Sequence, residues 1–226
     1  MIYLSVYHLT VVSLGQGCFL RLRIKEGDWK MYFKKITPIK QCTVAMGIVL
    51  NIVGAFIALN LRLPIYMDSI GTIMVSALLG PGYGITTGLL GSIISGITFD
   101  IYSLWYAPVQ ILTGLMAGIL FKSTWLKGIK MPVGAVFLSF PTSIASAIIT
   151  AFIFGGITSS ASSYIVQMLS KLGVGLTLSC FLVQMMTDYA DKFIGAVIVI
   201  GVLAAMPKAL RIKIRGESYG EIQHHN

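Results

Sequence analysis

Residues 43–61 read TVAMGIVLNIVGAFIALNL, nineteen consecutive positions without a charge. A helix that crosses a bilayer needs about 20 predominantly apolar residues, so this segment alone predicts a membrane span. Long apolar stretches follow it as far as Arg215, and the charges between them sort by sign. Lys34, Lys35 and Lys40 precede the first stretch, Lys122, Lys127 and Lys130 cluster mid-chain, and Lys208, Arg211, Lys213 and Arg215 follow the last. The four acids of this region, Asp68, Asp100, Asp188 and Asp191, fall in the other connections, beside Arg62, Lys171 and Lys192. Retention of Lys and Arg on the cytoplasmic side produces this pattern in a chain that crosses repeatedly.

Composition agrees. Of 226 residues, 56% are hydrophobic and 11% charged, and the mean hydropathy is +0.84. Soluble domains carry roughly a quarter charged residues, so that class is excluded. The net charge of +9 follows from the inward bias of Lys and Arg and from anionic lipid at the inner leaflet, not from nucleic-acid binding. Cys18, Cys42 and Cys180 are scattered and read as apolar fillers.

Working along the chain, spans are expected at ~43–61, ~69–80, ~84–98, ~106–121, ~133–154 and ~188–206. Pro64 ends the first, and Gly80-Pro81-Gly82-Tyr83-Gly84 separates the second from the third. Residues ~161–187, which carry Gln167, Lys171 and Gln184, are expected as outer-face helical segments. The expected architecture is an all-α integral membrane protein, a six-transmembrane-helix bundle over 31–215 with both termini cytoplasmic, in a prokaryotic plasma membrane. Residues 216–226 form a polar tail. Residues 1–30 are an N-terminal extension with two readings. They are an extra helix with Arg21, Arg23 and Lys25 inside, or the product of a start set upstream of Met31; the second is preferred.

The chemistry available is narrow. No Glu lies between Glu26 and Glu217 and no His between His8 and His224, which removes the residues most used for acid–base and metal catalysis. No enzyme activity, metal or other cofactor is expected. Asp188-x-x-Asp191 is the one candidate for a divalent-metal enzyme, but with Lys192 four residues from Asp188 the preferred reading is a solvated helix start with one ion pair. Asn51, polar at mid-span, is expected to make an interhelical hydrogen bond.

Two further patterns stand out. Gly84, Gly88, Ser92 and Gly96 recur every four residues on the third span, and the first span carries Thr43, Gly47, Gly54 and Ala58. Such small-residue faces let helices approach closely, either within the chain or against a partner. At the outer end, Asn60, Arg62, Tyr66 and Asp68 crowd one loop and Tyr102, Trp105 and Tyr106 another. Tyr106, Gln110 and Gly114 stack at i, i+4. With Gln184 and Asp188 near the top of the last span, these residues make a cup suited to a small, flat, polar-rimmed ligand.

Asn60-Leu61-Arg62-Leu63-Pro64-Ile65-Tyr66-Met67-Asp68-Ser69-Ile70-Gly71-Thr72, Leu79-Gly80-Pro81-Gly82-Tyr83-Gly84, Phe154–Ser160 and Thr187–Lys192 together resemble one family. It is that of the substrate-binding S components of energy-coupling factor (ECF) transporters, which take up vitamins and related micronutrients. The resemblance covers about residues 40–207. It implies a six-helix bundle with a ligand site near the outer surface, capped by the loop after the first helix. Asn60, Arg62, Tyr66 and Asp68 would belong to that gating loop, and Tyr102, Trp105, Tyr106, Gln110 and Asp188 would touch the ligand. It also implies partners: a transmembrane coupling subunit, contacted through small residues of the early helices, and two cytoplasmic ATPases. The chain departs from the family's AxxxA pattern in the first span, offering Gly54-x-x-x-Ala58 and Thr43-x-x-x-Gly47. It has no Walker A motif, so ATP hydrolysis would fall to the partners.

Overall fold

The computed structural model describes residues 37–123, 125–126 and 128–215. The N-terminal extension, the polar tail, Lys34, Lys35 and Lys127 lie outside the described residues. Those described are predominantly helical, without strands. The elements are α1 (Pro38–Asn60), α2 (Ile70–Leu79), α3 (Pro81–Thr98), α4 (Ile101–Trp105) and α5 (Ala107–Lys122). A 3-10 turn (Gly128–Lys130) leads into α6 (Met131–Ile148) and its π-helical extension (Ile149–Ile153). Then come α7 (Ser162–Lys171), α8 (Leu176–Ala205) and α9 (Lys208–Arg215).

Prolines and glycines set these boundaries. Gly80 (φ 95°) breaks α2 from α3, and Pro81 opens α3 where a missing amide costs no helical bond. Prolines stand likewise in the first turns of α5 and α6. Asp100 starts α4 by accepting the Tyr102 amide at 3.3 Å.

Helix α2 runs through the middle, packed on α1, α3, α5 and α8, while neighbours α1–α3, α3–α5, α5–α6 and α6–α8 pack around it. Seven of its ten residues are buried. Outside, the usual polarity is inverted. On α6, Val133, Phe137, Phe140, Ile144 and Ile148 are exposed, while Ser139, Thr142, Ser143 and Ser146 are buried. Apolar outside and hydroxylic inside is the arrangement that suits hydrocarbon as the solvent.

Among the described residues, two helices are long and apolar enough to span a membrane: Pro38–Asn60, with mean hydropathy 2.3, and the run Gly128–Ile153, with 1.9. Leu176–Ala205 with Lys208–Arg215, bent by 110°, makes a third if counted as one span. Helix α2, ten residues over Ile70–Leu79, matches the expected ~69–80 segment; at about 15 Å it covers half the hydrocarbon thickness. The segmentation departs from expectation in one place. The expected ~161–187 outer segments and ~188–206 span divide differently, because α8 runs unbroken for 30 residues from Leu176. No Gly or Pro interrupts Leu176–Ile194, so Asp188, Asp191 and Lys192 sit mid-helix and not at a solvated start.

The small-residue faces also need correction. Thr43, Gly47, Gly54, Ala58, Gly84, Gly88, Ser92 and Gly96 are all buried inside the bundle, with no free surface to offer a partner. Their neighbours explain it. A Cβ on Gly84 would fall 3.2 Å from the Gly114 carbonyl oxygen, and one on Gly88 2.8 Å from that of Gln110. A Cβ on Gly71 would meet the Gly47 carbonyl oxygen at 1.9 Å. Gly71→Ala is therefore expected to lower stability by about 1–3 kcal/mol through overpacking. Gly201→Ala, at a position open to surroundings, should leave it within about 0.5 kcal/mol. Thermal melts of the two variants in detergent check the pair.

Candidate functional site

The loop between α1 and α2 is held from below by other helices. Leu63 N–H donates to the Ala58 carbonyl at 2.9 Å, closing the end of α1. Arg62 and Met67 both adopt left-handed φ, 50° and 52°, which non-glycine residues sustain only when surrounding contacts fix them. For Met67 those contacts are explicit. Its amide donates to Asp191 Oδ1 at 3.0 Å, and its carbonyl lies against Gly54, where a Cβ would come within 2.1 Å. Ser69 Oγ donates to the other Asp191 oxygen at 2.6 Å.

The first amides of α2 need acceptors, because no helical carbonyl precedes them. Asn51 of α1 supplies one, taking Gly71 N–H at 2.7 Å and Thr72 N–H at 3.2 Å. Its amide nitrogen donates to Thr72 Oγ1 at 2.8 Å, so Asn51 caps α2 from a neighbouring helix. Thr72 in turn donates to Gln110 Oε1 at 3.3 Å, and Gln110 Nε2 to the Asp68 carbonyl at 3.4 Å.

Beneath the loop lies a buried ion cluster. Lys192 Nζ sits 3.2 Å from Asp191 Oδ2 and 3.6 Å from Asp188 Oδ1; the ammonium occupies the position between carboxylates that a divalent cation would take. Asp188 also accepts from Ser146 Oγ at 3.1 Å. Asp68 faces the same space from the loop. Burial, and then the charge of Asp191, push its carboxyl up to about 6, against the opposing pull of Lys192 and Gln110. Burial and the charge of Asp100 push the Tyr66 phenol well up, so it stays protonated.

An aromatic wall closes one side. Tyr66 and Tyr106 rings lie 6.3 Å apart, and Tyr106 stacks on Phe154 at 6.3 Å. Tyr66 OH hydrogen-bonds Ser159 Oγ, which donates to Asp100 Oδ2 at 2.9 Å. Tyr106 OH meets Thr150 Oγ1 at 2.5 Å, and Gln184 Nε2 donates to that same oxygen at 2.9 Å. The enclosed space is about 40 Å³, enough for roughly three water molecules.

Of the residues singled out in the sequence, Tyr66, Asp68, Tyr106, Gln110 and Asp188 line this space together. Four others lie elsewhere. Asn60 is exposed and bonded to its own helix at the Phe56 carbonyl. Arg62 borders a separate surface groove with Ser160 and Tyr164. Tyr102 and the half-exposed Trp105 pack behind the wall, on the Phe154 ring. Gln184, expected beside Asp188 in the cup, lines the space too, while sequence reasoning missed Asp191, Lys192, Ser146 and Thr187 as lining residues. The spacing of Gln184, Asp188 and Lys192 at i, i+4, i+8 was the available signal, once one continuous helix is assumed.

Comparison with protein-family models, curated proteins and solved structures found no match.

A carboxyl held above its unfolded value binds its proton more tightly in the fold. Stability due to Asp68 therefore falls as pH rises from about 4 to about 6 and levels off above. The groups facing it are Asp188, Asp191 and Lys192. Asp68→Asn is expected to flatten this part of the pH–melting profile in detergent; an unchanged slope would contradict the assignment.

Proposed function

We propose that this chain is the substrate-binding S component of an ECF-type importer, capturing a vitamin or related micronutrient at the outer face of a prokaryotic plasma membrane. The observation that carries the reading is the polar–aromatic space under the 61–69 loop, inside a bundle whose outer surface is apolar. In this reading α1, α2, α3, α5, α6 with its π extension, and α8 make six passes. Both termini are cytoplasmic, and the ligand site lies at the opposite end. The chain performs no chemistry of its own. Its role is selection, through the hydrogen-bonding groups of Gln110, Gln184 and Thr187, the Tyr66–Tyr106 pair and the Asp188–Lys192 ion pair.

The space is too narrow for a vitamin-sized molecule as it stands, so entry requires the 61–69 loop to yield. Two left-handed residues and a latch of two hydrogen bonds to Asp191 make that loop a natural moving part. Partners remain as the resemblance implies, a transmembrane coupling subunit and two ATPases. With the small-residue faces used internally, the outward face of α1, carrying Met46, Val49, Val53 and Phe56, takes over as the docking candidate.

The test is the small molecule retained by the purified protein, released by denaturation and read by mass spectrometry. Gln110→Ala should cut retention about tenfold or more, the loss of about 1.4 kcal/mol. Trp105→Ala, off the site, should leave it within about twofold. Absence of any enriched compound in the wild type, or equal retention in Gln110→Ala, would remove the assignment. Co-purification of a coupling subunit and ATPases separates this reading from a stand-alone carrier. A divalent-metal-dependent activity lost in Asp191→Asn would instead revive the enzyme reading.

A further inference from the structure

At the end of the bundle away from the loop, the last turns of α2, α5 and α8 surround a cleft of about 640 Å³. Helix α9, turned 110° from α8 after Pro207, packs beside it on α1 and α2. Among the described residues, four cations from three helices line the cleft: Lys40 of α1, Lys122 of α5, and Arg211 and Arg215 of α9. Its floor is apolar, with Leu79, Phe121 and Ile200.

These cations lack local compensation. Among the described residues the salt bridges are confined to Lys192 with Asp188 and Asp191, so none of the four has a carboxylate there. Helix ends account for part of this. Lys122 stands in the last turn of α5, and Arg211 Nη2 donates to the carbonyls of Leu203 and Met206, capping α8. Lys40 lies 5.9 Å over the Tyr83 ring. Two observations are left over. Arg211 Nε is buried without an acceptor among the described residues, a costly condition for a guanidinium donor. Like charges also converge on a single cleft with an apolar base.

We propose that this cleft binds the phosphate headgroup of an anionic phospholipid, with the apolar floor taking the first part of an acyl chain. A phosphodiester provides the missing acceptors for Arg211 and its neighbours, since guanidinium and ammonium groups match phosphate oxygens. Free phosphate shares that chemistry but has nothing to place on Leu79, Phe121 and Ile200. The position fits a lipid as well. A short basic amphipathic helix lies across the ends of apolar helices, at the depth where headgroups sit. Basic pockets at the cytoplasmic ends of such helices are a recognised way of holding acidic headgroups. This site is independent of the ligand site near Lys192 and of the importer reading.

The full chain in nanodiscs of equal phosphatidylglycerol and phosphatidylcholine, released and weighed by native mass spectrometry, tests it. Phosphatidylglycerol should be retained over phosphatidylcholine. Lys122→Gln/Arg215→Gln should bring the ratio toward parity, about fivefold for each cation removed, with helix content by circular dichroism unchanged. Should the double variant lose helix content, each single variant is expected to give its own fivefold fall. Parity in the wild type, or a preference that survives in folded variants, would overturn the proposal. So would displacement of the lipid by millimolar inorganic phosphate, which would make a free anion the ligand.

Discussion

Lys192 is an ammonium inside a helix bundle, and the arrangement around it follows from what its burial demands. An isolated buried charge costs several kcal/mol even after relaxation, so it persists only with partners. Asp191 and Asp188 provide them at 3.2 and 3.6 Å. Asp191, once buried for this purpose, must satisfy its remaining lone pairs, and takes the Met67 amide and the Ser69 hydroxyl. The group that neutralises Lys192 therefore also fixes the path of the loop above it. That loop delivers the chain to the start of α2, where Asn51 completes the accounting of backbone donors.

Polar contacts of this kind need helices close together. Glycine supplies the closeness: Gly84 and Gly88 of α3 lie against Gly114 and Gln110 of α5, and Gly47 of α1 against Gly71 of α2. At these separations a Ser76 hydroxyl reaches the Gly114 carbonyl of another helix at 2.9 Å. In hydrocarbon there is no water to take over such bonds, so internal satisfaction is a condition of the fold. The same closeness positions Gln110 to reach both Thr72 and the loop carbonyl of Asp68. The floor of the site thus depends on glycines several residues away.

Much of this was legible in the sequence. Uncharged runs and Pro/Gly breakers place α1, α2, α3, α5 and α6 within about five residues of their observed bounds, because those signals are local. Mid-span Asn51 makes the interhelical hydrogen bonds expected of it. Tyr66, Asp68, Tyr106, Gln110 and Asp188 come together as a group. What was not legible depends on long-range packing. Polar residues in 176–187 lowered the apparent hydropathy of α8, so Lys192 looked like a solvated residue at a helix start when it is among the most buried side chains. The glycine faces carry the same pattern whether they meet a partner or the chain's own helices, and only the structure shows the second. Sequence proximity groups Asn60, Arg62, Tyr102 and Trp105 with the site, but it takes no account of which way a loop turns.

The account rests on Asp191 pinning the 61–69 loop over the site, and hydrogen–deuterium exchange of that loop in the detergent-solubilised chain measures it directly. The Met67 amide should be protected in the wild type, and Asp191→Asn should speed its exchange by about tenfold or more while α1 and α6 remain protected. Equal exchange of the loop in the two proteins, or a loop already unprotected in the wild type, would contradict it.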